Sequence, residues 1–383
     1  MSKGENVSEE RVAQLKNKVW EAIAYDNYTE AFSLASELWE LSADSANHIL
    51  GVMYTNGWGV SADYKTALKY FKKSVQVHDE DEASSWYMGG MLLLFQKDYA
   101  NAIKWLVNAE KMGEKDAKPM IAQCYYSTAL DMRAFACRVS DAGKYSQANA
   151  AAIKTAIAAQ DIYMDVAESE ELDMLSWVAV GRMAQMLYNI ACRGEFDMQT
   201  TSIGLRGSYF KSSLDIFGGA CDIKSPETWR QNVVNVCAAM DEHGMSTVGE
   251  YFRAIYSMTD SELNKSASAF YRAKWHLRRA EQLSRSIDPK AKDDLREVLS
   301  DIDESCRKLE NEYGQAVISM MRSGELPNIT LSYPAGKAPE VEGCDDFMNM
   351  LKAVKSSGAG TSEGTSSEKL KGIKKKLFGF FGR

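Results

Sequence analysis

Three segments of this chain repeat one another about every 35 residues, and a period of that length restricts the fold to stacked supersecondary units. They are Asn27-Tyr28-Thr29-Glu30-Ala31-Phe32, Asp63-Tyr64-Lys65-Thr66-Ala67-Leu68 and Asp98-Tyr99-Ala100-Asn101-Ala102-Ile103. The tyrosines lie 36 and then 35 residues apart, as do the alanines; further along Leu34, Tyr70 and Trp105 correspond, followed by Ala35, Phe71 and Leu106. Small and bulky side chains recur at three- and four-residue spacing within each copy, which puts them on one buried helical face. An alanine at the same place in each copy predicts a close helix crossing, where a larger side chain would push the partners apart. The Asp or Asn ahead of each tyrosine is placed to cap the helix by accepting from its free amide groups.

The partner helix recurs less clearly. Ala46-Asn47-His48-Ile49-Leu50-Gly51 is echoed by Ser84-Ser85-Trp86-Tyr87-Met88-Gly89 and then by Ala117-Lys118-Pro119-Met120-Ile121-Ala122. The loop Thr55-Asn56-Gly57-Trp58-Gly59-Val60 has no full counterpart in the second copy, which reaches its tyrosine three residues sooner. Gly57 and Gly59 supply the positive-φ geometry that a tight helix–helix turn demands.

Leu50-Gly51-Val52-Met53-Tyr54-Thr55-Asn56-Gly57-Trp58-Gly59-Val60-Ser61-Ala62-Asp63, followed by Lys65, Ala67, Tyr70 and Lys73, resembles one full Sel-one-like repeat. The resemblance spans roughly residues 10–130; the next copy lacks the double-glycine turn and the preceding one matches by half. It implies an all-α fold, a right-handed α-α superhelix of the tetratricopeptide and Sel-one-like kind, used as an adaptor or assembly platform over residues 8–130. It names no ligand.

Residues 131–325 carry further helical periodicity without a crisp repeat, with helices predicted over 150–167, 172–193, 209–217, 228–243, 261–284 and 290–322. Asp288-Pro289 separates the last two, which read as a hairpin of diverged tetratricopeptide type. Residues 326–355 change character: the spaced Pro327 and Pro334 with Ile329 and Thr330 predict an extended strap over 326–342, then a short helix over 344–354.

The six prolines of the 383-residue chain agree with a helical fold rather than a turn-rich sandwich. Residues 368–383 hold Lys369, Lys371, Lys374, Lys375, Lys376 and Arg383 against Glu368, so the formal charge of −8 leaves −13 on everything before them. An acidic body without a basic groove argues against nucleic acid as the partner, because phosphate neutralisation needs clustered cations. Seven cysteines without a CxxC pair read as buried reduced thiols rather than a disulfide framework. The polar opening Met-Ser-Lys-Gly-Glu-Asn has no apolar run, and no stretch approaches the roughly 18 apolar residues of a membrane span. A cytoplasmic protein, free or peripheral to a membrane, is the expectation.

Residues 356–367 are Gly, Ser, Ala and Thr apart from Glu363, the composition of a flexible tether. In the basic tail at 368–383, Leu370, Ile373, Leu377 and Phe381 share one side of a helix, flanked by Phe378 and Phe380. Lys371, Lys375 and Lys376 lie away from that stripe, and Lys374 intrudes on it. Three readings stay open: an interfacial helix on anionic lipid, a peptide whose phenylalanines fill pockets on a partner protein, and a tail with no dedicated target.

Catalytic patterns are missing. The four histidines form no HExxH or HxH pair, and no phosphate loop, dinucleotide fingerprint or nucleophile elbow occurs. His78-Asp79-Glu80-Asp81-Glu82 lacks the glycine-centred spacing of a calcium loop and reads as a solvated acidic turn. Cys237 near His243 would be the thiol and base of a hidden enzyme, yet its place inside a core helix argues for inertness. No cofactor and no metal are expected. A non-enzymatic adaptor is predicted, binding a protein partner through the repeat turns at Tyr54, Asn56, Trp58 and Asp63, with lipid recruitment by the tail and an enzyme in the central helices as the alternatives.

Overall fold

In a computed structural model the described residues are helical but for loops and one short strand pair; they are 3–169, 172–195, 225–264, 267–287, the strands at 330–332 and 340–342, and the helical positions Arg296, Ser300 and Glu304. The described helices are α1 (Lys3–Ala24), α2 (Tyr28–Leu41), α3 (Ala43–Asn56), α4 (Tyr64–Ser74), α5 (Glu82–Phe95), α6 (Tyr99–Lys111), α7 (Ala117–Ala136), α8 (Ala142–Ser169), α9 (Met174–Cys192), α10 (Pro226–Glu242), α11 (Ser246–Asn264) and α12 (Ala267–Ser284). Each packs on its neighbours in sequence. All substantial helix contacts join consecutive described helices or helices separated by one. That is the contact pattern of hairpins stacked one after another.

The repeated positions sit where their chemistry requires. Ala31, Ala67 and Ala102 are fully buried, and so are Ala35, Phe71 and Leu106 four residues later. The opposing helices supply glycine: a Cβ on Gly51 would stand 2.6 Å from the Phe71 ring, and one on Gly90 would stand 2.7 Å from Leu106. Phe71 and Leu106 are equivalent, so the structural counterpart of Gly51 is Gly90. Gly89, its counterpart by sequence, instead abuts Trp105, with 2.2 Å to a built Cβ. The echo of the first helix therefore runs one residue out of register with the packing.

Capping follows the sequence in two copies of three. The Asp63 carboxylate accepts from the Lys65 and Thr66 amides at the start of α4, and Asp98 accepts from the Asn101 amide at the start of α6. Asn27 makes no such bond; its amide instead donates to the Glu30 carboxylate at 2.5 Å. Several helices close with a left-handed residue and a bond back across the last turn, as in Asn27 N to Ala22 O and Asp98 N to Leu93 O. Lys97 takes that left-handed place after α5 at φ +61°, exposed to solvent. Lys97→Gly is expected to stabilise the chain by about 1 kcal/mol by removing a Cβ penalty, a gain that urea unfolding would register as a raised midpoint.

Two packing regimes divide the chain. Residues 15–124 bury three small clusters among the described residues, each drawing its buried members from three consecutive helices. From α7 onward a single larger core runs through to α12, with Trp177, Trp229, Tyr163 and Tyr188 almost wholly buried. α7 joins the regimes, giving Ile121 and Cys124 to the last small cluster and Tyr126 to the large core.

The predicted helices at 150–167, 172–193 and 228–243 are present as α8, α9 and α10. The helix predicted over 261–284 is corrected: α11 ends at Asn264 and α12 begins at Ala267, and most of α11 precedes that span. The helix predicted over 209–217 lies outside the described residues. The extended stretch at 326–342 contains strands β1 (Thr330–Ser332) and β2 (Glu340–Glu342), paired antiparallel with Leu331 opposite Val341; β2 packs on α12. A hairpin thus stands where a single strap was predicted. The helix predicted over 344–354, the tether and the tail lie outside the described residues.

Candidate protein-binding surface

Tyr54, Trp58 and their neighbours form an aromatic row of two contact sets among α2, α3, α4 and the α3–α4 loop. The Tyr28 ring stacks on Trp58 with centroids 5.3 Å apart and 7° between planes. Phe32, one turn further along α2, meets Tyr54 edge-on at 6.0 Å. Tyr54 in turn stacks on Tyr70 of α4 at 5.6 Å, and the Lys73 ammonium lies 5.8 Å from the Tyr70 ring centre. All five rings are half-buried, so each presents an edge or part of a face to solvent while its body is held by packing. Rings fixed in this way bind with little loss of rotamer freedom, the quality that makes aromatics dominate contact energies.

The four residues picked from sequence divide by role. Tyr54 belongs to the row. Trp58 is its anchor, packed against both the α1–α3 cluster and the α3–α5 cluster. Asn56 donates through its side-chain amide to the Val52 carbonyl at 2.9 Å, which serves the end of α3. Asp63 caps α4, and its own amide donates to the Tyr54 carbonyl at 2.9 Å. Bonds from Thr66 hold its carboxyl below the usual aspartate range. Sequence reasoning missed Tyr28, Phe32 and Tyr70, although Tyr28 and Tyr70 both stand at positions that recur with the repeat. The proposed tail contacts at Leu370, Ile373, Lys374, Lys375, Lys376, Leu377, Phe378, Phe380 and Phe381 lie outside the described residues.

A second polar assembly sits behind the row. His48 of α3 is buried, and its Nδ1 is 2.8 Å from the Ser85 hydroxyl of α5, which donates to Ser74 of α4 at 2.8 Å. One chain of hydrogen bonds thus ties three helices together. Phe71 and Trp20 flank the ring at 5.9 and 6.4 Å. The acidic turn expected to be solvated is instead clamped. Lys16 of α1 reaches Glu80 and Asp81 at 2.7 Å each, while Glu82 is buried and accepts from His78 Nδ1 and Trp86 Nε1. The cause is a cation 64 residues away in sequence, invisible to local reading. Beside this clamp an open groove of about 630 Å³ runs between α1 and the start of α3, with Val12, Ala13, Leu41, Ser42 and Ser45 in its walls.

His48 carries a pH dependence. Burial pushes its pKa below the ordinary 6.5, with Lys16 acting in the same direction and Asp81 and Asp79 opposing. The unfolded chain therefore takes up the proton first as pH falls. Stability is full above about pH 6.5 and declines below it, by at most about 1.4 kcal/mol per pH unit, until the folded value is reached. His48→Asn is expected to flatten that decline between pH 7.5 and 5.5, as measured by urea unfolding at each pH.

The buried residues described in the central helices are mostly apolar. Cys237 is fully buried, which drives its thiol up to about 12. His243 does not reach it: Nδ1 faces the Ala239 carbonyl at 2.9 Å and Nε2 the Ala167 carbonyl at 3.3 Å. Cys124 is likewise pushed up to about 12, whereas Cys137 is exposed, a correction to the expectation of uniformly buried thiols. Some of the buried polar groups here are cross-linked, whereas Trp177 Nε1 is buried without a hydrogen-bond acceptor. Gln160 and Asn232 exchange two amide hydrogen bonds at 2.8 and 3.1 Å, and Glu250 accepts from His276 at 2.6 Å and Arg279 at 3.1 Å. Among the described residues no group of three or more His, Cys, Asp or Glu is placed to hold a metal, and no helix is long and apolar enough to cross a membrane. No family model and no curated protein matches the chain.

Proposed function

We propose that this chain is a helical-repeat binding module, a right-handed α-α superhelix of the Sel-one-like kind, which acts as a non-enzymatic cytoplasmic adaptor. The observation that carries the reading is the aromatic row: five half-buried rings from α2, α3, α4 and the α3–α4 loop, packed as two neighbouring sets. A protein segment laid along such a row gains apolar contact without ordering the receptor. Burial of Cys237, which keeps its thiol protonated, favours binding over catalysis by that residue.

Tyr70→Ala and Tyr54→Ala test it, because both remove exposed ring area while leaving the Trp58 anchor in place. Affinity capture with the intact chain and with the double variant is expected to lose a defined partner band in the variant, with unchanged melting temperature. An unaltered capture pattern would sink the surface. The amphipathic pattern of residues 368–383 supports a second role, recruitment to anionic lipid, and a chain ending at Ser367 should then fail to float with vesicles that the full chain binds.

A further inference from the structure

The outward face of α4 is basic although the chain as a whole is acidic. α4 carries Lys65, Lys69, Lys72 and Lys73 and no carboxylate, all four exposed and opposite its buried Ala67, Phe71 and Ser74 stripe. Lys104 of α6 occupies the position that Lys69 holds in α4, and it is exposed too. Leu68 of α4 packs against the cluster that holds Ala102 and Leu106 of α6. None of these five ammonium groups is in an ion pair among the described residues; Lys73 lies over Tyr70, and Lys104 donates to the Asn101 amide oxygen at 3.4 Å. Lys65, Lys69 and Lys73 follow one another at four-residue spacing, an arrangement whose like-charge repulsion works against the helix.

The geometry points to this lysine face as the docking site for a short carboxylate-rich peptide segment of a partner protein. The proposal rests on the binding-module reading above and names the chemistry of the partner. Three observations select this occupant. Lysine alone makes up the positive charge: no arginine occurs between Arg11 and Arg133, so the forked donor pairs that favour phosphate are missing while point charges suited to scattered carboxylates are plentiful. α4 is 11 residues long, about 16 Å, the reach of about five extended residues. A polyanion of greater extent, such as a lipid surface or nucleic acid, would also meet the exposed Glu30, Glu37 and Glu40 of α2, within a chain that carries −8 overall. A short acidic segment matches the span of the lysines, with the capping Asp63 at one end.

The test uses the full chain and a fluorescein-labelled hexaglutamate peptide at 50 mM salt. Saturable one-to-one binding is expected, weakened at least tenfold in K65E/K69E/K104E, retained when the same three lysines become arginine, and retained in K144E/K154E, which places reversed charge on α8. The K69E change sets a carboxylate four residues before Lys73, while K65E leaves positions 65 and 69 like-charged as in the parent, so a melting temperature close to that of the parent is expected alongside the lost binding. Equal loss in the α8 control would overturn the proposal, as would tighter binding of phosphatidylserine vesicles or oligo-dT than of the peptide. Hexaglutamate that fails to bind the parent also overturns it, and leaves the aromatic row to stand or fall on the Tyr54 and Tyr70 capture experiment.

Discussion

Gly59→Ala is expected to destabilise the chain by about 3 kcal/mol or more, enough to unfold the first hairpins well before the rest. Two independent causes add. The backbone at Gly59 has φ +70°, which a side chain rarely adopts, and a Cβ there would stand 2.1 Å from the Tyr28 carbonyl oxygen and 2.7 Å from Phe32 Cβ. Neither neighbour is the free end of a flexible side chain. The α3–α4 loop must withdraw from α2, and the Tyr28–Trp58 stack at 5.3 Å is lost with it. Gly57 shares the positive φ, but the nearest atom to a built Cβ is 3.5 Å away, so Gly57→Ala bears only the backbone cost, about 1 kcal/mol. Urea unfolding of the two variants separates steric from conformational effects: similar losses at the two positions would mean that the close approach to Tyr28 is wrong.

Phe71→Ala should cost about 3–5 kcal/mol, the usual loss for emptying a buried aromatic site. Phe71 has no exposed surface and sits between α3, α4 and α5, against Gly51 and beside His48. The glycine opposite makes the loss partly reversible in a way that tests the packing. Gly51→Ala alone puts a methyl 2.6 Å from the ring and is destabilising, whereas in the Phe71→Ala background the same methyl enters vacated space. The double variant is expected to be no less stable than Phe71→Ala alone, a coupling of about 1–3 kcal/mol between positions 51 and 71. Additive losses would place Gly51 against some other group.

The parts of this fold that were legible in the sequence are those where one residue type alone satisfies the packing. Ala31, Ala67 and Ala102 mark three equivalent crossings because nothing larger fits, and Gly57 and Gly59 mark a turn because nothing else adopts its φ readily. What was illegible depends on groups distant in sequence. The Gly51–Gly90 equivalence differs by one residue from the sequence echo because adjacent Gly89 and Gly90 are both pressed, one by Trp105 and the other by Leu106. The acidic turn after α4 reads as solvated until Lys16 arrives from α1. Most of α11 was missed because Thr247, Gly249 and Glu250 interrupt its apolar period; Glu250 is buried there against His276 and Arg279 of α12, beside its own-helix neighbour Arg253. At the candidate surface, Tyr54 and Trp58 were found through the repeat pattern. The rings that complete the row were not, since half-buried aromatics look like core residues until their partners are known.

Stacked hairpins with local contacts should open piecemeal, and amide hydrogen exchange of the full chain measures this most directly. The small clusters under α1–α6 share little with the continuous core under α7–α12. The expected result is graded protection: amides of α1–α4 exchange through openings that leave α8, α9 and α10 closed, and rising urea merges the groups one after another. Exchange of all these helices through one opening, at a single free energy and with a single urea dependence, would contradict a linear array and require a closed globular core.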